Sequence, residues 1–241
     1  MYSYVLKRSD LREHDQIVTL YTLEQGKVDA LVRGVKKILS KNSAYLLPVF
    51  LIDADILSGK EVNHLTKAVP VFVYKNILED LSKMSLLQTV FKWLNTLTKY
   101  EREPKIFLLI KSWMEFLDST AQVDGALAYG FLGNILVHLG FAPDLNSCIF
   151  CQNKNTLYAF YPAGGGVVCK SCFVLKKQTD VKIYPLRAVD LQAMRLLFSN
   201  NWEQILVYNT EIANRLVFLY GQYHSERKLN RGGFLSTFSI K

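Results

Sequence analysis

The residues with the most capacity for chemistry are four cysteines, and all of them fall within "CIFCQNKNTLYAFYPAGGGVVCKSC", residues 148–172. They are spaced C-x2-C-x17-C-x2-C, pairing Cys148 with Cys151 and Cys169 with Cys172. A two-residue gap lets one tight turn aim both sulfurs and nearby backbone amides at a single point. Two such turns supply four thiolates in a tetrahedron, which suits zinc. Disulfides would require an oxidising compartment, and nothing in the sequence sends the chain to one. A thioredoxin-like redox pair requires one C-x-x-C after a strand in a βαβ unit, whereas here there are two pairs and no such unit. The expectation is one structural Zn2+ held by Cys148, Cys151, Cys169 and Cys172. Four sulfur ligands close the coordination sphere and leave no position for an activated water.

One other pattern resembles metal chemistry. "HSE" at His224–Glu226 has the H-x-E form of zinc deaminases, but that signature places P-C-x-x-C after it. No cysteine follows His224, and neither cysteine pair follows a proline. His224 is therefore read as a surface residue of the last helix, and a zinc hydrolase or deaminase lacks its open metal site.

The elements that must position the cysteines can be read from periodicity. Between the pairs, "NTLYAFYP-AGGG-VV" reads as a hairpin: an aromatic run, a glycine turn and a short β-branched return. Tyr158, Phe160 and Tyr161 are expected to pack over the metal knuckle. Residues 3–74 read as about five short strands, with "EQGK" and Ser58-Gly59-Lys60 at turns, which suits an OB-fold barrel. Pro48 and Pro70 fall in strand-like runs and so belong at edges, bulges or strand starts. Beyond Tyr74 the period lengthens. "NILEDLSKMSLLQTVFKWLNTLTKY", "PKIFLLIKSWMEFLDS" and "DGALAYGFLGNILVHLGF" read as three helices, Asp124 capping the third. "LRAVDLQAMRLLFSN" and "NTEIANRLVFLYGQYHSERKL" supply two more after the cysteines. The fold class is thus α+β and multidomain. It comprises an OB-fold barrel at 1–75, a helical bundle at 76–145, an inserted four-cysteine zinc ribbon at 146–182, and the rest of the bundle with a basic tail at 183–241.

Composition narrows the function. The apolar run at 125–143 is interrupted by Asn134 and His138, and reads as a buried core helix rather than a membrane span. The start, "MYSYVLKRSD", lacks the basic-then-apolar pattern of a secretory signal. A soluble cytoplasmic protein with no membrane partner is expected. The net charge is +8, and it is clustered. Residues 27–43 hold five cations against one anion, residues 146–187 six against one, and residues 215–241 five against one. That distribution is expected of a polyanion binder. Lys7, Arg8 and Arg12, with Lys27, Arg33, Lys36, Lys37 and Lys41, are the candidates for one phosphate-binding face. Lys170, Lys176 and Lys177 flank the ribbon. Tyr2, Tyr4 and Tyr21 suit base stacking or, more often in strands, packing.

The order barrel, helices, ribbon, helices resembles the RecO family of bacterial recombination mediators over nearly the whole length. "REHDQIVTLYTLEQGKVDALVRGVKKILSK" resembles that family's amino-terminal barrel. "CIFC…AFYPAGGGVVCKSC" resembles the ribbon of many members, and "NRLVFLYGQYHSERKLNRGGFL" the final helix and tail. The family often has glycine straight after the second cysteine, where this chain has Gln152, and "LNRGGFL" replaces a more usual serine-containing tail. The resemblance implies a non-enzymatic role in DNA repair. Family members bind single- and double-stranded DNA, anneal complementary strands, and act with RecR to load RecA on strands covered by single-strand-binding protein, whose acidic carboxyl-terminal tail is a further partner. It also implies association with the nucleoid during repair. The competing expectation, from a different class, is a zinc-ribbon adaptor whose helices bind proteins and whose DNA contact is incidental.

Overall fold

The computed structural model describes residues 1–37, 43–176 and 182–225. The described residues divide into two compact units, 1–123 and 124–225. The helical segment expected at 76–145 is therefore shared between them.

The first unit begins with five strands: β1 (Tyr2–Asp10), β2 (Gln16–Thr22), β3 (Gly26–Val32), β4 (Phe50–Leu57) and β5 (Asn63–Val73). They close into a barrel in the order β1-β2-β3-β5-β4, an OB-like arrangement. All pairings are antiparallel except β3 with β5, which run parallel through Ala30↔Asn63 and Leu31↔His64. The interior is aliphatic, filled by Val18, Leu20, Ala30, Val32, Ile52 and Leu65 among others. Gly26 turns the chain from β2 into β3 at φ +72°, and a Cβ there would collide with the Glu101 carbonyl. Both prolines fall where a missing amide is tolerated. Pro48 lies in the turn before β4, and Pro70 sits at the register shift where Leu51 pairs with Phe72 but Ile52 with Pro70.

Three helices complete this unit: α1 (Lys75–Glu79), α2 (Leu81–Leu97) and α3 (Pro104–Ser119). The single helix expected from "NILEDLSKMSLL…" is broken at Asp80, whose backbone is extended. Its carboxylate accepts from the amides of Ser82 (2.7 Å) and Lys83 (3.1 Å), so the side chain starts a new helix where the apolar periodicity alone would continue the old one. Tyr4 and Tyr21 are fully buried packing residues. The Tyr4 ring lies 5.2 Å from Phe107 and 6.5 Å from Phe91, and its hydroxyl is 2.9 Å from that of Tyr74. Tyr2 is exposed.

The second unit opens with α4 (Ala126–His138), buried on all sides from Ala126 to Leu136 as expected of a core helix. Asp124 caps it, accepting from the Ala126 amide at 2.7 Å. Among the described residues no helix is long and apolar enough to cross a membrane. Asn134, buried mid-helix, donates to the carbonyls of Gly130 (2.8 Å) and Ser199 (2.8 Å), so its polarity is satisfied. The ribbon follows as β6 (Leu157–Tyr161), β7 (Gly166–Cys169) and α5 (Lys170–Lys176), with β8 (Tyr184–Pro185) added to β6. The unit ends with α6 (Ala188–Leu197), α7 (Trp202–Tyr208) and α8 (Glu211–His224). Helices α5 and α7 are short additions to the expected set.

Candidate metal centre and nucleic-acid interface

The four cysteines converge. Their Sγ atoms all lie within 4.8 Å of one another, and those of Cys151 and Cys169 are 3.6 Å apart. A tetrahedral ion with metal–sulfur distances of about 2.3 Å needs an edge of about 3.8 Å, so this donor set fits one ion without rearrangement of the fold. Local chain geometry explains the convergence. The first pair sits in a turn closed by Gln152 N–H donating to the Cys148 carbonyl at 2.8 Å and Cys148 N–H donating to the Asn153 carbonyl at 2.8 Å. In the second pair Cys169 ends β7 and Cys172 lies in the first turn of α5, its amide donating to the Cys169 sulfur at 3.5 Å. The β6–β7 hairpin joins the two turns with Leu157 opposite Cys169. Ile149, Leu157, Tyr161, Val168, Phe173 and Ile183 wall the cluster.

Charge balance explains why such a cluster wants a cation. Burial opposes ionisation of Cys148, but the backbone amides of Cys169, Cys151 and Phe150 outweigh it and draw its thiol down to about 6. Burial, then the neighbouring cysteines, push Cys172 up to about 12. A thiolate at Cys148 forms readily and opposes ionisation of Cys172; a bound dication removes that conflict. The group can hold a metal ion, and with four sulfurs it has a structural rather than a hydrolytic arrangement.

The glycine turn also matters here. Gly165 takes φ +74°, and a Cβ on Gly166 would meet the Ile149 side chain and the Asp144 carbonyl. That clearance lets residues 144–149 lie along β7, through Asp144 N–H to the Gly165 carbonyl (2.9 Å) and Ile149 N–H to the Val167 carbonyl (3.0 Å). Gln152 takes φ +60°, the conformation glycine adopts most cheaply, and its side-chain oxygen accepts from the Ser147 hydroxyl at 3.1 Å. The aromatic residues pack as expected for two of three: Tyr161 lies on the cluster and Tyr158 on Phe173, whereas Phe160 packs on Tyr220. His224 is not the free surface residue the sequence suggests. It is half-buried, 3.1 Å from the Pro162 carbonyl through Nε2, and its ring lies 4.3 Å from that of Tyr220.

In the first unit, the cationic candidates divide. One end of the barrel gathers the end of β1, the start of β2 and the exit of β3. Arg12, Arg33 and Lys37, all exposed, border an open basin of about 600 Å3 there. The loop after β3 is tied to the β1–β2 loop by Gly34 N–H donating to Asp15 Oδ1 (2.8 Å) and Lys36 N–H donating to the His14 carbonyl (3.2 Å). Beside the basin, Arg8 donates to Gln16 (2.9 Å), Gln16 donates to Asp10 (2.7 Å), and Lys36 pairs with Asp10 at 2.7 Å. The hydrogen bonds from Lys36 and then Gln16 hold the Asp10 carboxyl below its ordinary range. Lys7 is exposed on β1. Arg8, Arg12, Arg33, Lys36 and Lys37 share this end with Asp10, Glu13 and Asp15, a positive excess smaller than the sequence suggested.

Lys27 must be withdrawn from that face. It is 3% exposed at the start of β3, the opposite end of the strand, and its ammonium donates to the carbonyls of Asn95 (2.9 Å) and Thr98 (2.5 Å) beneath the Tyr100 ring. It caps the carboxyl end of α2. Lys41 and Lys177 lie outside the described residues. Asp15 was overlooked as a functional residue. The signal for it was an acid immediately before a strand, with a glycine in the loop returning beside it.

Comparison with known proteins divides the chain at the end of the barrel instead of between the two compact units. The family described as Recombination protein O N terminal matches residues 1–74, and Recombination protein O C terminal matches residues 78–232. Among similar curated proteins, the DNA repair protein RecO of Thermoanaerobacter sp. (strain X514) is 25% identical over 239 residues, covering 96% of this chain and 94% of its own. That of Frankia casuarinae is 27% identical over 234 residues, 93% of each chain. That of Syntrophomonas wolfei is 28% identical over 169 residues, 70% of this chain and 67% of its own.

Proposed function

Because the chain belongs to the RecO family of DNA repair proteins, we propose that it is a non-enzymatic mediator of recombination: it binds single- and double-stranded DNA, anneals complementary strands and, with RecR, helps to load RecA on strands covered by single-strand-binding protein. Such a protein works in the cytoplasm, at the nucleoid during repair. The observation that carries the reading is the basin at the barrel's end, where Arg12, Arg33 and Lys37 stand exposed on loops tied together by Asp15. Cations held on one rigid surface can neutralise phosphates of two strands at once, removing the repulsion that slows annealing. OB-like barrels provide the groove such binding uses.

The ion in the four-cysteine cluster is zinc in this reading. Soft thiolates in tetrahedral number select it, and its part is to hold the two turns together. The chain's own residues do the binding; no group in the cluster has a position from which to act on a substrate.

The test replaces Arg12, Arg33 and Lys37 together by glutamate and measures single-stranded DNA affinity at several salt concentrations, beside an annealing assay and a thermal melt. A folded variant that no longer binds or anneals supports the reading. A folded variant with unchanged DNA affinity favours the ribbon adaptor instead.

A further inference from the structure

The ribbon carries a surface that the metal does not explain. Phe150 lies between the two cysteines of the first turn, where its neighbours Cys148 and Ile149 pack inward, yet it is 42% exposed. Its ring is held in place: Tyr161 stacks on it at 6.3 Å and 25°, and the Lys176 ammonium lies 5.0 Å from its centroid. An aromatic ring held rigid and half in solvent, with a cation beside it, is the element by which proteins bind unpaired bases.

The charge around it points the same way. Among the described residues from 146 to 187 there are five cations and no carboxylate. Arg187 pairs with Asp190 at 2.8 Å, Lys154 interacts with the Asp144 carboxylate, and Lys154, Lys170, Lys176 and Lys182 are all exposed. A dication with four thiolates carries a charge of about −2, which two lysines would balance. With the Asp144 carboxylate counted as well, one remains in excess.

We propose that the ribbon is itself a binding site for single-stranded nucleic acid, with Phe150 as the stacking platform for an unpaired base and Lys154, Lys170 and Lys176 receiving the adjoining phosphates. A base on Phe150 takes the place of the Lys176 ammonium, which moves to a phosphate. Because stacking and charge act without reading base edges, the site is indifferent to sequence. The choice of ligand rests on the DNA-binding reading above; the surface itself does not.

The experiment uses the full-length, zinc-replete chain and an oligothymidylate probe. Phe150→Ala should weaken binding by about tenfold, the ordinary loss for one stacked base. Replacing Lys154, Lys170 and Lys176 by glutamine should lower the salt slope of the single-strand affinity by about 2. Phe150→Trp places a reporter at the site, and its fluorescence should be quenched by the probe; this reading stands even if Phe150→Ala misfolds. No quenching, with the lysine variant at wild-type affinity and salt slope, overturns the ribbon site. If the Arg12, Arg33 and Lys37 variant has meanwhile lost binding, the barrel reading survives that failure. Loss on ribbon substitution alone, with the barrel variant unaffected, has the opposite meaning: it supports the ribbon site and removes the barrel. A wild-type chain that does not bind the probe overturns both.

Discussion

The Lys27 ammonium, at the start of β3, donates to the Thr98 carbonyl just past the end of α2 at 2.5 Å. A strand cation thus stabilises the negative end of a helix, where carbonyls have no partner within the helix itself. Lys27→Met keeps the aliphatic length but strands the Asn95 and Thr98 carbonyls. The expected cost is about 2–6 kcal/mol, from roughly 1–3 kcal/mol for each unsatisfied buried group. DNA affinity of the folded variant should be unchanged. A denaturant melt beside a binding titration checks both, and a variant of wild-type stability with weakened binding would return Lys27 to the phosphate face.

This misassignment shows where reading the sequence stopped. A strand alternates two faces, but its pattern does not say which outward faces another element will cover. Lys27 and Arg33 looked equivalent for that reason, though α2 covers one and water the other. The α1–α2 break escaped for a related cause. Leu78 and Leu81 are three residues apart, so periodicity runs straight through Asp80, and only the side-chain cap divides the helix. Helix α7 has seven residues, too few for a period to emerge. The cysteine centre was legible because its geometry is local: two turns and one hairpin specify it, and each has its own residue signature.

Elemental analysis should find one zinc per chain. Serine at any one of Cys148, Cys151, Cys169 or Cys172 should reduce retention strongly, because removing one thiolate opens a closed tetrahedron. A strong chelator should release the ion and loosen β6, β7 and α5, seen as loss of amide protection there; such sites hold about 10–16 kcal/mol of apparent binding energy in isolated peptides. A cysteine whose replacement leaves zinc content unchanged would refute four-sulfur ligation.

Asp190 gives a pH dependence of definite sign. It is wholly buried, and Arg187, by a bidentate pair at 2.8 and 2.9 Å, holds its carboxyl below the ordinary 3.8; burial opposes this and Thr210 adds a hydrogen bond. A lowered folded value means the stabilisation is complete above about pH 4–5 and is lost as pH falls through 3.8 toward the folded value. Arg187 is mostly solvent-exposed, so screening limits the pair. Asp190→Asn should cost about 1–2 kcal/mol near pH 7, with the gap to wild type narrowing below pH 4. Comparing the two proteins at each pH cancels acid release of the metal, which affects both. A gap that widens in acid would mean the carboxyl is held protonated.

Gln152 stands in the left-handed region at φ +60°. Holding a side chain there costs about 1–2 kcal/mol, part of which the 3.1 Å hydrogen bond from Ser147 offsets. Gln152→Gly removes both the strain and the bond, so stability and zinc retention should change by no more than about 0.5 kcal/mol, the glycine's own entropy being a further small loss. Gln152→Val removes the bond and keeps the strain in its worst form, because a β-branched residue resists positive φ. Its turn should open, moving Cys151 away from Cys169 and weakening zinc retention by about tenfold in competition with a chromophoric chelator. Equal retention by the valine and glycine variants would show that the turn between the cysteines is set by the metal alone and not by the backbone at residue 152.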